Sequence, residues 1–375
     1  MRRVLHVVGR FLPRTETFIY TIVTHHIDYE ASVLCHSRLH EFEFPFARVH
    51  VCAKPESKRS VGWWFDASVE RATGRSPWRR AVEHLLDQLQ PDIVHAHFGP
   101  IGCEMAEIAK AAGVPLVTSL YGVDAAVLPY MAHWRDAYLR LFECGDLFLA
   151  EAPEMRRKVI AAGAPPERTV IQPIVIDLSR YPRWNPRSEP RVLFAGRFIE
   201  KKGLLDAIAA FDRAYATEPA ARLTIVGDGP DGVDAQALVR RLSSAHAIEF
   251  VGSQPHAELI RMLAATTVLV HPSVTAVDGD SEGGAPTILL EAQAIGTPIV
   301  TTRHADIPHV APEGPWVRLC DEHDIAALGD ALISTLASPL PSSSTHVAAH
   351  HSAPRAIAQL EATYTKLIEA GTVGD

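Results

Sequence analysis

Long apolar runs are missing from this chain. None approaches the roughly 20 residues that a membrane helix needs, and the apolar stretch 4–8 is too short for the core of a signal peptide. The expected compartment is therefore the cytoplasm. Cysteine is scarce: Cys35, Cys52, Cys103, Cys144 and Cys320 are odd in number, widely scattered and contain no CxxC pair. That spacing points away from a disulfide framework or a zinc knuckle and toward buried free thiols. Neither a P-loop nor a GxGxxG fingerprint occurs at the first strand of either half, which disfavours ATPases and dehydrogenases. Basic charge is in deficit, 36 residues against 44 acidic ones for a net −8, and this argues against a general nucleic-acid binder.

What is present is enough apolar material for sizeable cores. Hydrophobic residues make up 47% of the 375 and charged residues only 21%, which excludes a largely disordered chain. At this length two domains are expected. Short β-branched runs alternate with longer Ala/Leu-rich periodic segments, the pattern of α/β units around parallel strands. Expected strands lie at 4–8, 31–36, 93–96, 116–120, 147–150 and 170–172. A second series lies at 192–195, 223–226, 248–251, 268–271, 299–301 and 316–319. Helical patterns between them include 204–215, 235–244, 257–265 and 287–295.

An internal echo organises these elements. Arg3-Val-Leu-His-Val-Val-Gly-Arg-Phe11 resembles Arg191-Val-Leu-Phe-Ala-Gly-Arg-Phe198, each a strand ending in a Gly turn. In an open doubly wound sheet that turn is where ligands meet backbone amides and a helix N-terminus. The proline-rich stretch 177–190 reads as a linker or hinge. The expected division is residues 1–177, joined by a returning C-terminal helix at about 353–375, and residues 178–352, with a ligand cleft between the halves.

Several residues stand out chemically. The polar, Gly-rich loop from Asp278 runs into Pro286, which suits a first helical turn, and the following helix is apolar except for Glu291 and Gln293. A carboxylate on such a helix needs a partner, either ligand hydroxyls or an internal salt bridge. The helix start offers the amides of Thr287 and Ile288 and a positive dipole end to an anion. After the strand at 192–195, Gly196 and Arg197 bring a planar phosphate-binding fork, and Lys202 a compact charge; Lys201 reads as solvated surface charge. His95 and His97 share one strand face and could bind zinc, but no third ligand is evident in the sequence, so packing or hydrogen bonding is expected. Segment 54–80 has seven basic residues against three acidic ones, a balance of +4, interleaved with Trp63, Trp64, Phe65 and Trp78. It reads as a membrane-interface patch or as a folded insertion with core tryptophans.

In order, Gly196-Arg197…Lys202-Gly203, Ile225-Val-Gly-Asp-Gly-Pro230, Phe250-Val-Gly252, His271-Pro-Ser273 and Glu282-Gly-Gly…Glu291-Ala…Gly-Thr-Pro298 resemble the family four retaining glycosyltransferases. The resemblance spans about residues 192–302. It extends more weakly to Thr15-Glu-Thr-Phe-Ile19, Pro91-Asp-Ile-Val-His-Ala-His97 and Val117-Thr-Ser-Leu-Tyr-Gly-Val-Asp124. It implies a GT-B fold, two Rossmann-like domains across a cleft, and transfer from a nucleotide diphosphate sugar to a sugar, lipid-linked or small-molecule hydroxyl, with retained configuration and no bound metal or other cofactor.

By matching positions, the resemblance assigns Arg197 and Lys202 to the donor diphosphate, Glu282 to the donor sugar and Glu291 to the ribose hydroxyls. Gly196, Gly283, Gly284, Ala285, Pro286, Thr287 and Ile288 complete the donor site, with Val251 to Gln254 beside the nucleobase. Arg197, Lys202 and Glu282 are the implied catalytic set. Arg14, His97, Tyr121 and Asp124 fall on the acceptor or sugar side. The pattern departs in two places: eight residues rather than seven separate Glu282 from Glu291, so Gly283 stands at the strict spacing, and Tyr121 stands where many relatives have His. The alternatives are a nucleotide-sugar epimerase, a natural-product glycosyltransferase and a noncatalytic nucleotide-sugar binder.

Overall fold

The computed structural model describes residues 1–54, 76–284, 286–341 and 343–371. The chain divides into two compact units, one of Met1–Ala150, Arg156–Val175 and Ala353–Asp375, the other of Glu151–Met155 and Ile176–Ser352. The first holds strands β1 (Arg2–Phe11), β2 (Tyr29–Arg38), β3 (Val49–Val51), β4 (Ile93–His97), β5 (Leu116–Leu120), β6 (Leu147–Ala150) and β7 (Thr169–Ile171). They form one parallel sheet in the order β3-β2-β1-β4-β5-β6-β7. The second holds β8 (Arg191–Ala195), β9 (Arg222–Val226), β10 (Ile248–Gly252), β11 (Val268–His271), β12 (Ile299–Thr302) and β13 (Val317–Cys320), parallel in the order β10-β9-β8-β11-β12-β13. Helices on both faces bury the strands, which is why they read as unbroken apolar runs.

The echoed segments are β1 and β8, and they occupy the same place in their sheets. Each lies where the strand order turns back, between β2 and β4 and between β9 and β11. Ligands of open α/β sheets bind outside the carboxyl ends of strands at that switch point. Strand β3 has no counterpart among the expected strands, because Val-His-Val is too short to stand out as an apolar run. The helix expected over 235–244 runs from Gly232 to Val239 instead.

In the second unit, Leu204, Ala207, Ile208, Phe211 and Ala214 form the buried stripe of helix Leu204–Thr217, packed with Val192 and Phe194 of β8 and Leu328 and Leu332 of helix Ile325–Ala337. Gly203 starts that helix at φ +66, and a Cβ there would lie 1.9 Å from the Pro272 carbonyl oxygen. Glycine is thus required on both conformational and steric grounds, and it seats Lys202 beside the end of β11.

Two expectations about connecting segments change. Stretch 177–190 is packed on the second unit: the Trp184 indole N–H donates to the Thr266 carbonyl at 2.8 Å, and the Asn185 amide to the Ala264 carbonyl at 2.9 Å. Its prolines read as a linker, but its indole finds a buried acceptor. Of segment 54–80, residues 55–75, with Trp63, Trp64 and Phe65, lie outside the described residues. Trp78 is core at 7% exposure, on a helix capped by Ser76, and Lys54 and Arg79 are ion-paired with Glu104 and with Glu83 and Glu107. The last helix, Ala353–Gly371, belongs to the first unit, where Tyr364 is fully buried and Gln172 donates to the Ala356 carbonyl at 3.0 Å. No helix among the described residues is long and apolar enough to cross a membrane. All five cysteines are free; Cys35 and Cys320 are buried and the other three half-buried.

Candidate functional site

At the carboxyl ends of β8 and β11 the second unit gathers a charged cluster. Arg197, two residues past β8, is exposed, and its guanidinium has no hydrogen-bond or ion-pair partner among the described residues. Lys202 reaches both oxygens of Glu282, at 2.7 and 2.9 Å. Ser273 Oγ donates to Glu282 Oε1 at 2.9 Å, and His271 Nε2 lies 3.8 Å from the same oxygen. The Glu282 amide donates to His304 Nε2 at 3.0 Å, and the other ring nitrogen of His304 meets Glu322 at 2.7 Å. Burial alone would raise the Glu282 carboxyl; the Lys202 ammonium and His271 overcome it and hold it far below the ordinary range. For Lys202 burial prevails, assisted by Lys201 and Arg197, so its pKa is lowered despite the Glu282 partner. Glu282 is thus neither a surface acid nor a cap but a buried anion in a built site.

Lys201 is not solvated as expected. It is 5% exposed and donates to Asp280 Oδ1 and to the Ser281 carbonyl, each at 2.9 Å. The ammonium replaces its water with partners on the 278–284 loop and fastens that loop to β8's turn. Gly196 lies against His271 and the Lys202 stem. Gly283, Gly284 and Pro286 are buried, and the Gly284 amide donates to Glu151 Oε2 at 2.7 Å. Ala285 is outside the described residues. Thr287 and Ile288 open helix Thr287–Ile295 behind Pro286, so their amides have no intrahelical acceptor. The carbonyl of Val251 accepts from Gln254 Nε2 at 2.7 Å.

Glu291 is 4% exposed, and His256 Nε2 lies 2.8 Å from its Oε1. Tyr181 approaches the same oxygen at 3.4 Å. The internal partner is therefore real, and both contacts use one oxygen of the carboxylate. Gln293, the other polar residue of this helix, donates to the Val310 carbonyl at 2.9 Å. No sequence pattern marks His256, which opens the separate helix His256–Ala265. His256→Ala should cost about 1–3 kcal/mol by leaving a buried carboxylate short of a partner, seen as a melting temperature several degrees lower; an unchanged melting curve would contradict the pairing.

In the first unit, the expected residues diverge. Asp124 is 2% exposed, and its carboxylate accepts from the amides of Gly99, Tyr121 and Gly122 at 3.0, 3.1 and 2.7 Å. Burial raises its pKa against those amides. It ties the loop after β5 to the start of helix Gly99–Ala112, a structural use not foreseen. Arg14 pairs with Glu43 at 2.9 Å on the surface. His97 and Tyr121 do come together, Nδ1 to hydroxyl at 2.7 Å.

The sequence did not reveal a third imidazole beside His95 and His97. His6 of β1 is in register with His95 of β4, and the three buried rings offer nitrogens that lie within 4.8 Å of one another and could hold a metal ion. Each of these nitrogens already has a hydrogen-bond partner: His97, His26, Tyr364, Ser119, His6 or Tyr121. Residues 89 positions apart in the chain become neighbours only through the pairing of β1 with β4.

Two parallel sheets, each with its switch-point strand ending in a Gly turn, define a two-domain GT-B protein. Residues 16–180 match the family described as Glycosyltransferase Family 4, and residues 189–338 the family described as Glycosyl transferases group 1. With one match on each sheet, the chain belongs to the family-four type of glycosyltransferases. It is 32% identical over 246 residues to WcaL of Salmonella typhimurium, named as a colanic acid biosynthesis glycosyltransferase, covering 64% of this chain and 60% of the relative. To the amylovoran biosynthesis glycosyltransferase AmsK of Erwinia amylovora it is 29% identical over 248 residues, 64% of this chain and 60% of the relative. The chain thus spans 60% of the length of these curated relatives. Among solved structures, HepE of Anabaena in complex with UDP and glucose superposes with a TM-score of 0.77 at 17% identity, covering 97% of this chain and 100% of that one.

Proposed function

We propose that the protein transfers a sugar from a nucleotide diphosphate sugar to a hydroxyl acceptor, with retained anomeric configuration, in cell-surface polysaccharide assembly. The observation that carries this reading is the unpaired, exposed Arg197 beside the Lys202–Glu282 pair at the β8/β11 switch point. The polysaccharide context is supported by the names of WcaL and AmsK, and the donor class by the UDP bound to HepE.

In this reading the second unit holds the donor. Breaking the sugar–phosphate bond builds negative charge on the leaving diphosphate. Arg197 and Lys202 are placed to stabilise it, with the amides of Thr287 and Ile288 as further donors. These fixed charges do the work that Mg²⁺ performs in other phosphate chemistry, so the reaction proceeds without bound metal. Glu282 keeps Lys202 aimed and contacts the sugar. Glu291, tied at Oε1 to His256, presents its other oxygen to the ribose hydroxyls. The acceptor, a sugar, lipid-linked or small-molecule hydroxyl, binds the first unit, and the departing phosphate oxygen takes its proton as it attacks from the same face.

The test is the product. Incubation with a UDP-sugar panel and alcohol acceptors in the presence of a chelator should yield a new glycoside of unchanged anomeric configuration by NMR. An inverted product, or transfer abolished by the chelator, would sink the retaining, metal-independent assignment.

A further inference from the structure

Five side chains of the first unit form a continuous hydrogen-bonded line. The Tyr121 hydroxyl lies 2.7 Å from His97 Nδ1, and His97 Nε2 lies 2.9 Å from His6 Nδ1. His6 Nε2 lies 2.9 Å from His26 Nε2, and His26 Nδ1 lies 2.9 Å from Glu361 Oε1 on the C-terminal helix. His6 and His97 are fully buried, and the side chains of His26 and Glu361 are 2% and 6% exposed. His95 stays outside the line, its nitrogens committed to Tyr364 and Ser119.

Such a line has a direction. A neutral imidazole has one N–H and one lone pair, and a carboxylate only accepts. Glu361 also accepts from the amides of Ile27 and Asp28 at 2.8 and 3.1 Å. Burial alone would raise its carboxyl, but these bonds and the one from His26 hold it below its ordinary value. His26 therefore gives its Nδ1 proton to Glu361 and accepts at Nε2. His6 then donates from Nε2 and accepts at Nδ1, and His97 donates from Nε2 and accepts at Nδ1. The last donor is the Tyr121 hydroxyl. The opposite pattern requires a second proton on His26. Burial holds both His6 and His97 neutral, the latter down to about 3.

We infer that Tyr121, His97, His6, His26 and Glu361 form a one-directional hydrogen-bond relay, in which Glu361 sets all three ring tautomers and leaves the Tyr121 hydroxyl a donor to the protein and an acceptor toward ligand. Tyr121 follows β5, at the carboxyl end of the sheet where ligands of such folds bind. Any further partner of that oxygen therefore meets a lone pair, which selects a hydroxyl or other N–H or O–H donor over a carbonyl or carboxylate. Glu361, His26 and His6 are positioning residues acting through His97. The relay rests on the first unit's geometry alone; that the selected hydroxyl belongs to the sugar or acceptor rests on the proposed function, and the spectrum described next and the transfer assay fail independently.

Long-range proton–nitrogen NMR of the full chain, labelled with ¹⁵N-histidine and held at mildly alkaline pH, reads each ring directly. Expected are His97 and His6 protonated at Nε2 and His26 at Nδ1, each with the strong downfield shift of a bare nitrogen at the other position. Tyr121→Phe should leave His97 in the same tautomer, since the direction is imposed from the far end. Glu361→Gln, whose amide can donate or accept, should give His97 a mixture of both. An opposite tautomer or doubly protonated ring in the unsubstituted chain, a His97 unmoved by Glu361→Gln in a folded variant, or stoichiometric metal on the purified protein would overturn the relay.

Discussion

Arg197→Ala is expected to leave the melting curve unchanged and to reduce sugar transfer by about 10²–10³-fold, the loss that follows removal of one preorganised donor to a developing anion, roughly 2.7–4 kcal/mol. The side chain is exposed and has no partner among the described residues to strand, so its stability effect should stay within about 0.5 kcal/mol. Lys202 offers the contrasting case. Its removal leaves Glu282 buried and without its cation, which costs about 3–5 kcal/mol for a broken buried pair in addition to the activity loss. The double change Lys202→Met with Glu282→Gln should recover much of the stability without restoring transfer. Steady-state kinetics and thermal denaturation of the variants separate the two effects. Full activity in Arg197→Ala would remove the second unit's cluster as the diphosphate site.

The second large effect is acid destabilisation beginning above the carboxylate range. Burial depresses the pKa of His6 and His95 well below 6.5 and that of His97 to about 3. In the unfolded chain these rings take up protons as the pH falls through about 6.5, whereas in the folded chain they do not, so the unfolded state binds more protons and is favoured. The stability they contribute is fully present above pH 6.5 and is lost downward toward the folded values. Each ring costs about 1.4 kcal/mol per pH unit. Two units down, three rings together reach on the order of 8 kcal/mol, comparable with the roughly 5–15 kcal/mol of a typical domain. Denaturant titrations across this range should show the first unit's stability falling steeply. A flat profile between pH 6.5 and 4.5 would mean that the rings are not held neutral.

The division of labour between sequence and structure is clearest at particular residues. Arg197 and Lys202 were legible because a strand, a Gly turn and cations follow one another locally, and an anion site at a strand end depends on that local order. Glu291 was legible as a buried acid because its neighbours on the helix are apolar. Its partner His256 was not, since it opens another helix and only the packing of the two brings the ring to 2.8 Å. Lys201 was misread because its charge alone suggests solvent, whereas Asp280 and the Ser281 carbonyl reach it from a loop 79 and 80 residues away. Asp124 matched a motif yet is occupied by three amides.

By itself the sequence determined the architecture: two parallel-sheet halves, nearly every strand, the place of the echoed Gly turns and the cations beside one of them. These follow from periodicity and turn chemistry, which act over a few residues. The tertiary structure alone decided which buried charges are paired and which histidines touch. Strand register and helix docking bring together His6 and His95, or His26 and Glu361, from positions 89 and 335 residues apart. Hydrogen bonds and ion pairs form over a few ångströms in space, and spacing along the chain carries no record of them.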